Sequence, residues 1–522
     1  MKQSKGWLTV FLMTLFILGM SNVVSAQRIL YVPFDDRPVS CEYPAETLKA
    51  AGMDIVMPPL SMLASRGRNA DPQQLWQWIW QEAPAADALV VSQDAVIYGG
   101  LVASRTHQWS DEQLASRLGN YQKLIERYPA LRIYLFSTIM RSPHASSGGV
   151  EPPYYEQYGP DIFALHALTD KAESEKLTTE EQNWLNSVRQ SVPQEVQRDW
   201  VERREKNYRI NLQSTALLRQ GVFSYMILGR DDCSPHSRSH QEARWMKKET
   251  ADLKLNKYAT FPGADQLGLL MLTRAVNDMT FTIPSVRAFY AEGIGEQTVP
   301  SYEDTPVGEN VRNHLWAAGC LPLQYSSKAD LTLAVNTPYD GWTREAGRTD
   351  NVKVASQTVS RFANRVADGV RAGDKIAIAD ISFANGSDNA LMEELAKKNT
   401  LTGLEAYSGW NTASNTIGYA IGQGVLASHM LPEAKHRLLT VRLLDDWAYQ
   451  ANVRQDLLAK VLEPAGHSNV QLDGMRAPLA KRATTELAAF AADHMPQWKL
   501  EPFTADFPWN RMFETHIEIK KP

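Results

Sequence analysis

Two acidic pairs draw attention by their setting. FDDRP places Asp35, Asp36 and Arg37 directly after the run RILYVP that begins at Arg28, and LGRDDCSPH places Asp231 and Asp232 one residue after FSYMILG. Neighbouring carboxylates repel, so one of a pair can be held protonated as a general acid while another, ionised, serves as base or nucleophile. Asp94 in SQDAVIYGGLVASR and Asp380 in IAIADISFANGSDNALMEEL join them. Asp36, Asp94, Asp231, Asp232 and Asp380 are therefore the candidate catalytic residues, with Asp231 and Asp232 foremost. The chemistry they suit is cleavage of a glycosidic bond by paired carboxyl groups.

A second group of residues could hold such a substrate: Asp35, Arg37, Arg141 in MRSPH, Asp265 in PGADQLG, Asn336 in NTP, and Asn385 and Asp388 around Gly386. Trp410, Asn411 and Thr412 in YSGWNTASNTIG combine an aromatic ring for the apolar face of a pyranose with amide and hydroxyl groups for its hydroxyls. Each has a plainer explanation. Asp36 or Asp265 could cap a helix, Arg141 could sit in a solvated loop, Asp388 could make an Asx turn and cap, and Trp410 could be buried. Gly99-Gly100 would let backbone approach a ligand, or form a simple turn. His236 and His240 stand four apart and could join Asp231 and Asp232 around a divalent metal, although Pro235 and the flanking serines favour a loop or helix start. Otherwise no cofactor is expected. Asp445 and Asp446 in LLDDWAYQANVR read as a helix-face salt bridge with Arg442 or Arg454.

The elements that must position these residues alternate between short apolar runs and helical patterns, the signature of an α/β fold with parallel strands. Nine strands are expected: RILYVPF, MDIVMPP, ALVVS, RIYLFST, FSYMILG, VRAFYAEG, LTLAVNT, KIAIADI and LTGLEAY. They suit two Rossmann-like lobes of five and four strands, with an elaborated β/α barrel as the alternative. In either architecture the carboxyl ends of the strands form the functional edge. The expected division is an α/β lobe over 27–282 with a charged helical insertion near 150–220, a second lobe over 283–430, and a helical region and tail over 431–522. Residues 1–26 read as a cleavable secretory signal: two lysines, an apolar stretch, then Val24 and Ala26 at the small-residue positions before cleavage.

The expected compartment is accordingly periplasmic or extracellular. A formal charge of −5 with 22% charged residues gives no basic field for nucleic acid, and no membrane association is expected once the signal is removed. Cys41, Cys233 and Cys320 allow at most one intramolecular disulfide. There is no G-x-S-x-G, P-loop, H-E-x-x-H, C-x-x-C or strand-borne G-x-G-x-x-G.

Taken in order, FDDRP, SQDAVIYGGLVASR, GRDD, PGADQLG, DISFANGSDNALM and YSGWNTASNTIG resemble the motif series of a bacterial family of exported proteins, domain of unknown function 4127. The resemblance implies that these segments build one site, and it brings no activity with it. It also implies Glu in many relatives where Gln266 stands, as in the GADE string of some hexosaminidases. Gln cannot donate a proton as an acid, so that role is closed to position 266. The leading expectation is an exported glycoside hydrolase acting on glycan fragments. The rivals are a two-lobed sugar- or polyol-binding protein and a metal-dependent hydrolase.

Overall fold

The computed structural model describes residues 27–144, 149–324 and 328–520; the expected signal segment lies outside them. Six parallel strands form the first sheet: β1 (Arg28–Val32), β2 (Asp54–Val56), β3 (Ala88–Ser92), β4 (Arg132–Ile139), β5 (Tyr225–Arg230) and β6 (Tyr258–Pro262), in the order β2-β1-β3-β4-β5-β6. The second sheet is built from β7 (Ser285–Tyr290), β8 (Leu321–Leu323), β9 (Leu331–Asn336), β11 (Ile376–Asp380) and β13 (Ala406–Ser408), in the order β8-β7-β9-β11-β13. A parallel two-residue ribbon joins β10 (Arg344–Glu345) to β12 (Phe383–Ala384), and β14 (Phe503–Asp506) pairs antiparallel with β15 (His516–Ile519).

Both large sheets place their second strand outside the first and build the others on its opposite side. That reversal is the doubly wound topology, and it excludes the barrel, whose strands would close into one ring. All nine expected strands are present. The two missed members have local reasons: β6 is a short YATFP run merging into the PGADQ turn, and β8 carries Pro322, which suits an edge strand but breaks a strand pattern.

The lobes are fused through one hydrophobic core rather than hinged across a gap. Helix Leu267–Met279 lies against β3 and β4, helix Ala413–Leu426 lies against β11 and β13, and the two helices touch each other. Gly418 and Gly422 allow this approach. A Cβ at Gly422 would fall 2.6 Å from Leu269 Cγ, and one at Gly418 would fall 2.3 Å from Gln266 Cγ. The glycine- and alanine-rich helix is thus explained by close packing.

Between β4 and β5 the chain forms helices Tyr155–Ser174, Thr179–Ser191 and Gln194–Arg219. The C-terminal segment returns to the first lobe, where His516 pairs with Glu42 and the Thr515 carbonyl accepts from the Tyr43 hydroxyl. Among the described residues no helix is long and apolar enough to cross a membrane. Cys41, Cys233 and Cys320 are free and buried.

Candidate functional site

The loops after β1, β5 and β6 of the first sheet converge with those around β12 and after β13 of the second. Asp265, after β6, takes two hydrogen bonds from Arg37, the shorter 2.7 Å, and Arg37 grips Asp35 on its other side at 2.8 Å. All three are buried. Asn411, after β13, donates to Asp265 at 3.4 Å, and its carbonyl accepts from the Asn385 backbone N–H at 2.8 Å. Asn385 donates its side-chain N–H to Glu345 at 2.7 Å, and Glu345 also accepts from the Tyr302 hydroxyl at 2.8 Å. The Tyr302 carbonyl accepts from the backbone N–H of Cys233, the neighbour of Asp232. A continuous hydrogen-bonded arch therefore runs from β5 across the second lobe and back to β1.

Four members of this region, Asp232, Tyr302, Asn385 and Asn411, are non-glycine residues with positive φ of 26°, 68°, 58° and 62°. Asp and Asn tolerate this backbone conformation, which is strained for Tyr302, and in each case it sets the direction in which the side chain leaves the chain. Asn385 Oδ1, buried and without a partner, marks an open acceptor in the same arch.

The five candidate catalytic aspartates divide by accessibility. Asp94 is buried and accepts from the Thr138 N–H and hydroxyl, and burial pushes its pKa up to about 7. Asp231 is buried against Arg105 at 2.6 Å. Asp380 is fully enclosed, accepting from Asn336, the Tyr407 hydroxyl and the Asp388 N–H, and burial lifts its pKa to about 7. All three are built into the scaffold. Asp36 and Asp232 remain partly exposed. Asp232 is tied to Arg141 at 2.9 Å, and its side chain is 28% accessible. Its pKa is raised by burial and then by the neighbouring Asp231. Burial also raises Asp36, partly offset by a 2.7 Å hydrogen bond from the Trp509 indole.

Several expectations change here. Trp410 is 3% exposed and packs against Phe513, so its ring is no sugar platform. Asn336 and Asp388 serve the Asp380 network, and Asp388 also caps helix Asn389–Lys397. Asp265 is an ion-pair partner rather than a helix cap, and Thr412 starts helix Ala413–Leu426 from a buried position. Gly99 and Gly100, at φ of 106° and 128°, face the chain's own Ala70 carbonyl and Ala64 side chain, not a ligand.

The metal grouping does not assemble. His240 bonds Asp170, His236 faces Glu175 at 3.7 Å, and Asp231 and Asp232 are held by arginines. Among the described residues no three His, Cys, Asp or Glu side chains are arranged to hold a metal ion. Gln266 is buried, donating to the Pro262 carbonyl and facing His314 Nε2 at 3.1 Å.

A family model described as "Protein of unknown function (DUF4127)" matches residues 29–518, an interval that contains every member of the arch. The chain belongs to this family. No curated protein matches it. A solved complex of a UDP-glucosyltransferase from Polygonum tinctorium with 3,4-dichloroaniline aligns over 84% of this chain and 98% of that one, at 11% identity and a TM-score of 0.18, too low to bear on fold or function.

In this DUF4127 chain the residues that sequence reasoning overlooked are Arg105, Glu151, Tyr302, Glu345 and Trp509. Arg105 lies inside the quoted SQDAVIYGGLVASR string, and Glu151 receives Arg141 at 2.6 Å through its Nε. Tyr302, Glu345 and Trp509 sit in stretches where the sequence shows no strand pattern, so no local signal marks them.

Proposed function

We propose that this protein is an exported hydrolase that cleaves a glycosidic bond in a glycan fragment bound along the arch. The observation carrying this reading is that Asp36 and Asp232 alone, of the five candidate catalytic aspartates, keep an accessible edge while burial raises their proton affinity. A carboxyl group whose pKa is raised is suited to general-acid work near neutral pH. Asp232 protonates the leaving oxygen as the C–O bond breaks. Asp36, kept more acidic by Trp509, acts on the sugar carbon as nucleophile or through a water as base. Arg141 holds the Asp232 carboxylate, Arg37 and Arg105, paired with Asp35 and Asp231, set positive charge beside Asp36 and Asp232, and Asn385 and Asn411 meet sugar hydroxyls.

The solute-binding alternative is weaker, because lobe closure would require the core shared through helices Leu267–Met279 and Ala413–Leu426 to slide. The test is a hydrolysis screen of the mature protein on a glycan panel, with and without chelator. Turnover that falls by about 10²–10⁴ in both Asp36→Asn and Asp232→Asn, with circular dichroism unchanged, supports the reading. Tight sugar binding without consumption, turnover unaffected by either substitution, or turnover abolished by chelator would each overturn it.

A further inference from the structure

The second sheet has a topological switch point of its own, between β7 and β9, and a pocket of about 270 Å³ opens there. Switch points at strand carboxyl ends are where doubly wound sheets take their ligands. Asn336, Thr337, Tyr339, Arg344, Ser382 and Asp388 are among its walls. None of its described lining residues belongs to the arch. Arg344 and Phe383 of the β10–β12 ribbon line it, while Glu345, next to Arg344, bonds Asn385 and Tyr302 in the arch.

One group in this pocket is unexplained by the fold. Thr337 is 3% exposed, yet its hydroxyl has no hydrogen-bond partner. A buried hydroxyl left unpaired costs about 1–3 kcal/mol, which a ligand hydroxyl would recover. Tyr339, on the same wall, is 64% exposed and presents an aromatic surface at the mouth. The charges exclude an anion. Among the described lining residues Arg344 is the one cation, and Asp340 at 2.7 Å and Asp350 at 3.6 Å already claim it. Glu292, also on the wall, is paired with Arg361.

We propose that this pocket is a second carbohydrate site, taking one neutral sugar ring with a hydroxyl on Thr337 Oγ1 and an apolar face against Tyr339. The volume, just below the usual range for small-molecule sites, limits it to a single ring. The proposal extends the carbohydrate reading to a second position. It is tested by binding rather than turnover, so either can fail alone.

The experiment is calorimetric titration of the intact protein with glucose, galactose and N-acetylglucosamine, with inorganic phosphate as the anionic comparison. Thr337→Val keeps the shape and removes only the unpaired hydroxyl, so its melting temperature should equal or exceed the parent's. The expected result is saturable binding of at least one sugar, weakened about tenfold by Thr337→Val and by Tyr339→Ala, with no binding of phosphate. Absence of sugar binding, equal sugar affinity in folded Thr337→Val, or phosphate binding that Thr337→Val abolishes would each overturn the proposal.

Discussion

Trp509 donates its indole N–H to Asp36 Oδ1 at 2.7 Å, although 473 positions separate them in the chain. Arg37 stacks its guanidinium over the same indole, 5.1 Å from the ring centroid, and Arg511 lies at 5.1 Å as well. The C-terminal segment thus supplies a wall of the site formed by the first strand.

Replacing Trp509 by Phe keeps the ring and removes the donor. The Trp509 bond holds Asp36 below the value burial alone would set, so its loss raises the Asp36 pKa further. With Asp36 acting ionised, the acidic limb of kcat/KM moves to higher pH, as a pH-rate profile would record. Stability falls by about 1 kcal/mol in urea unfolding. Trp410→Phe, deep in the core, leaves that limb in place.

Gly422→Ala inserts a methyl group where Leu269 already stands, between the helices that join the lobes. Overpacking of this kind costs about 1–3 kcal/mol. The urea midpoint should drop accordingly. An unchanged midpoint would mean that the two helices do not meet as described.

Arg442, the last residue of helix Pro432–Arg442, is buried between Asp445 and Asp446 of the π-helical segment Leu443–Val453, each at 3.0 Å. The expected salt bridge is present, but in the interior. Arg442→Met leaves two carboxylates without their cation and destabilises by about 3–5 kcal/mol at pH 8. The loss is smaller at pH 6, because Asp446, lifted to about 7 by burial, then takes up a proton. Unfolding curves at both pH values measure the difference.

Asp94, Glu303, Asp380 and Asp446 all have pKa values pushed to about 7 by burial. In the unfolded chain such groups titrate near 4, so the folded state binds more protons between these limits and stability falls as pH rises. Buried His107, His166 and His314, lowered to about 4, 3 and 3, oppose this only below about pH 6.5, where the unfolded chain protonates its histidines. Stability should therefore decline from about pH 6.5 to 8, and Glu303→Gln should flatten the decline. Denaturant titrations across that range decide it.

The nine strands were legible because each is a short β-branched or apolar run with turn residues at its ends, a pattern set by near neighbours. The acids at strand ends were legible for the same reason, since parallel topology sends every strand's carboxyl end to one edge. The roles of those acids were not. Asp94 and Asp380 look in sequence like Asp36 and Asp232, and differ only in what closes over them: Thr138 for one, Asn336 and Tyr407 for the other. Trp410 likewise reads as a sugar platform until Phe513 covers it.

What the amino-acid order determined by itself is the α/β alternation, the functional edge at the strand carboxyl ends and the clustering of carboxylates along it, because these follow from periodicity over a few residues; the doubly wound strand order, as against a barrel, came from the tertiary structure. Tertiary structure decided which carboxylates stay accessible, which arginines hold them, and that Tyr302, Glu345 and Trp509 complete the site. Those outcomes depend on burial and on approaches between distant segments. The Trp509 contact with Asp36 is one such approach, invisible to any local pattern, and it separates a candidate catalytic carboxyl group from the buried aspartates beside it.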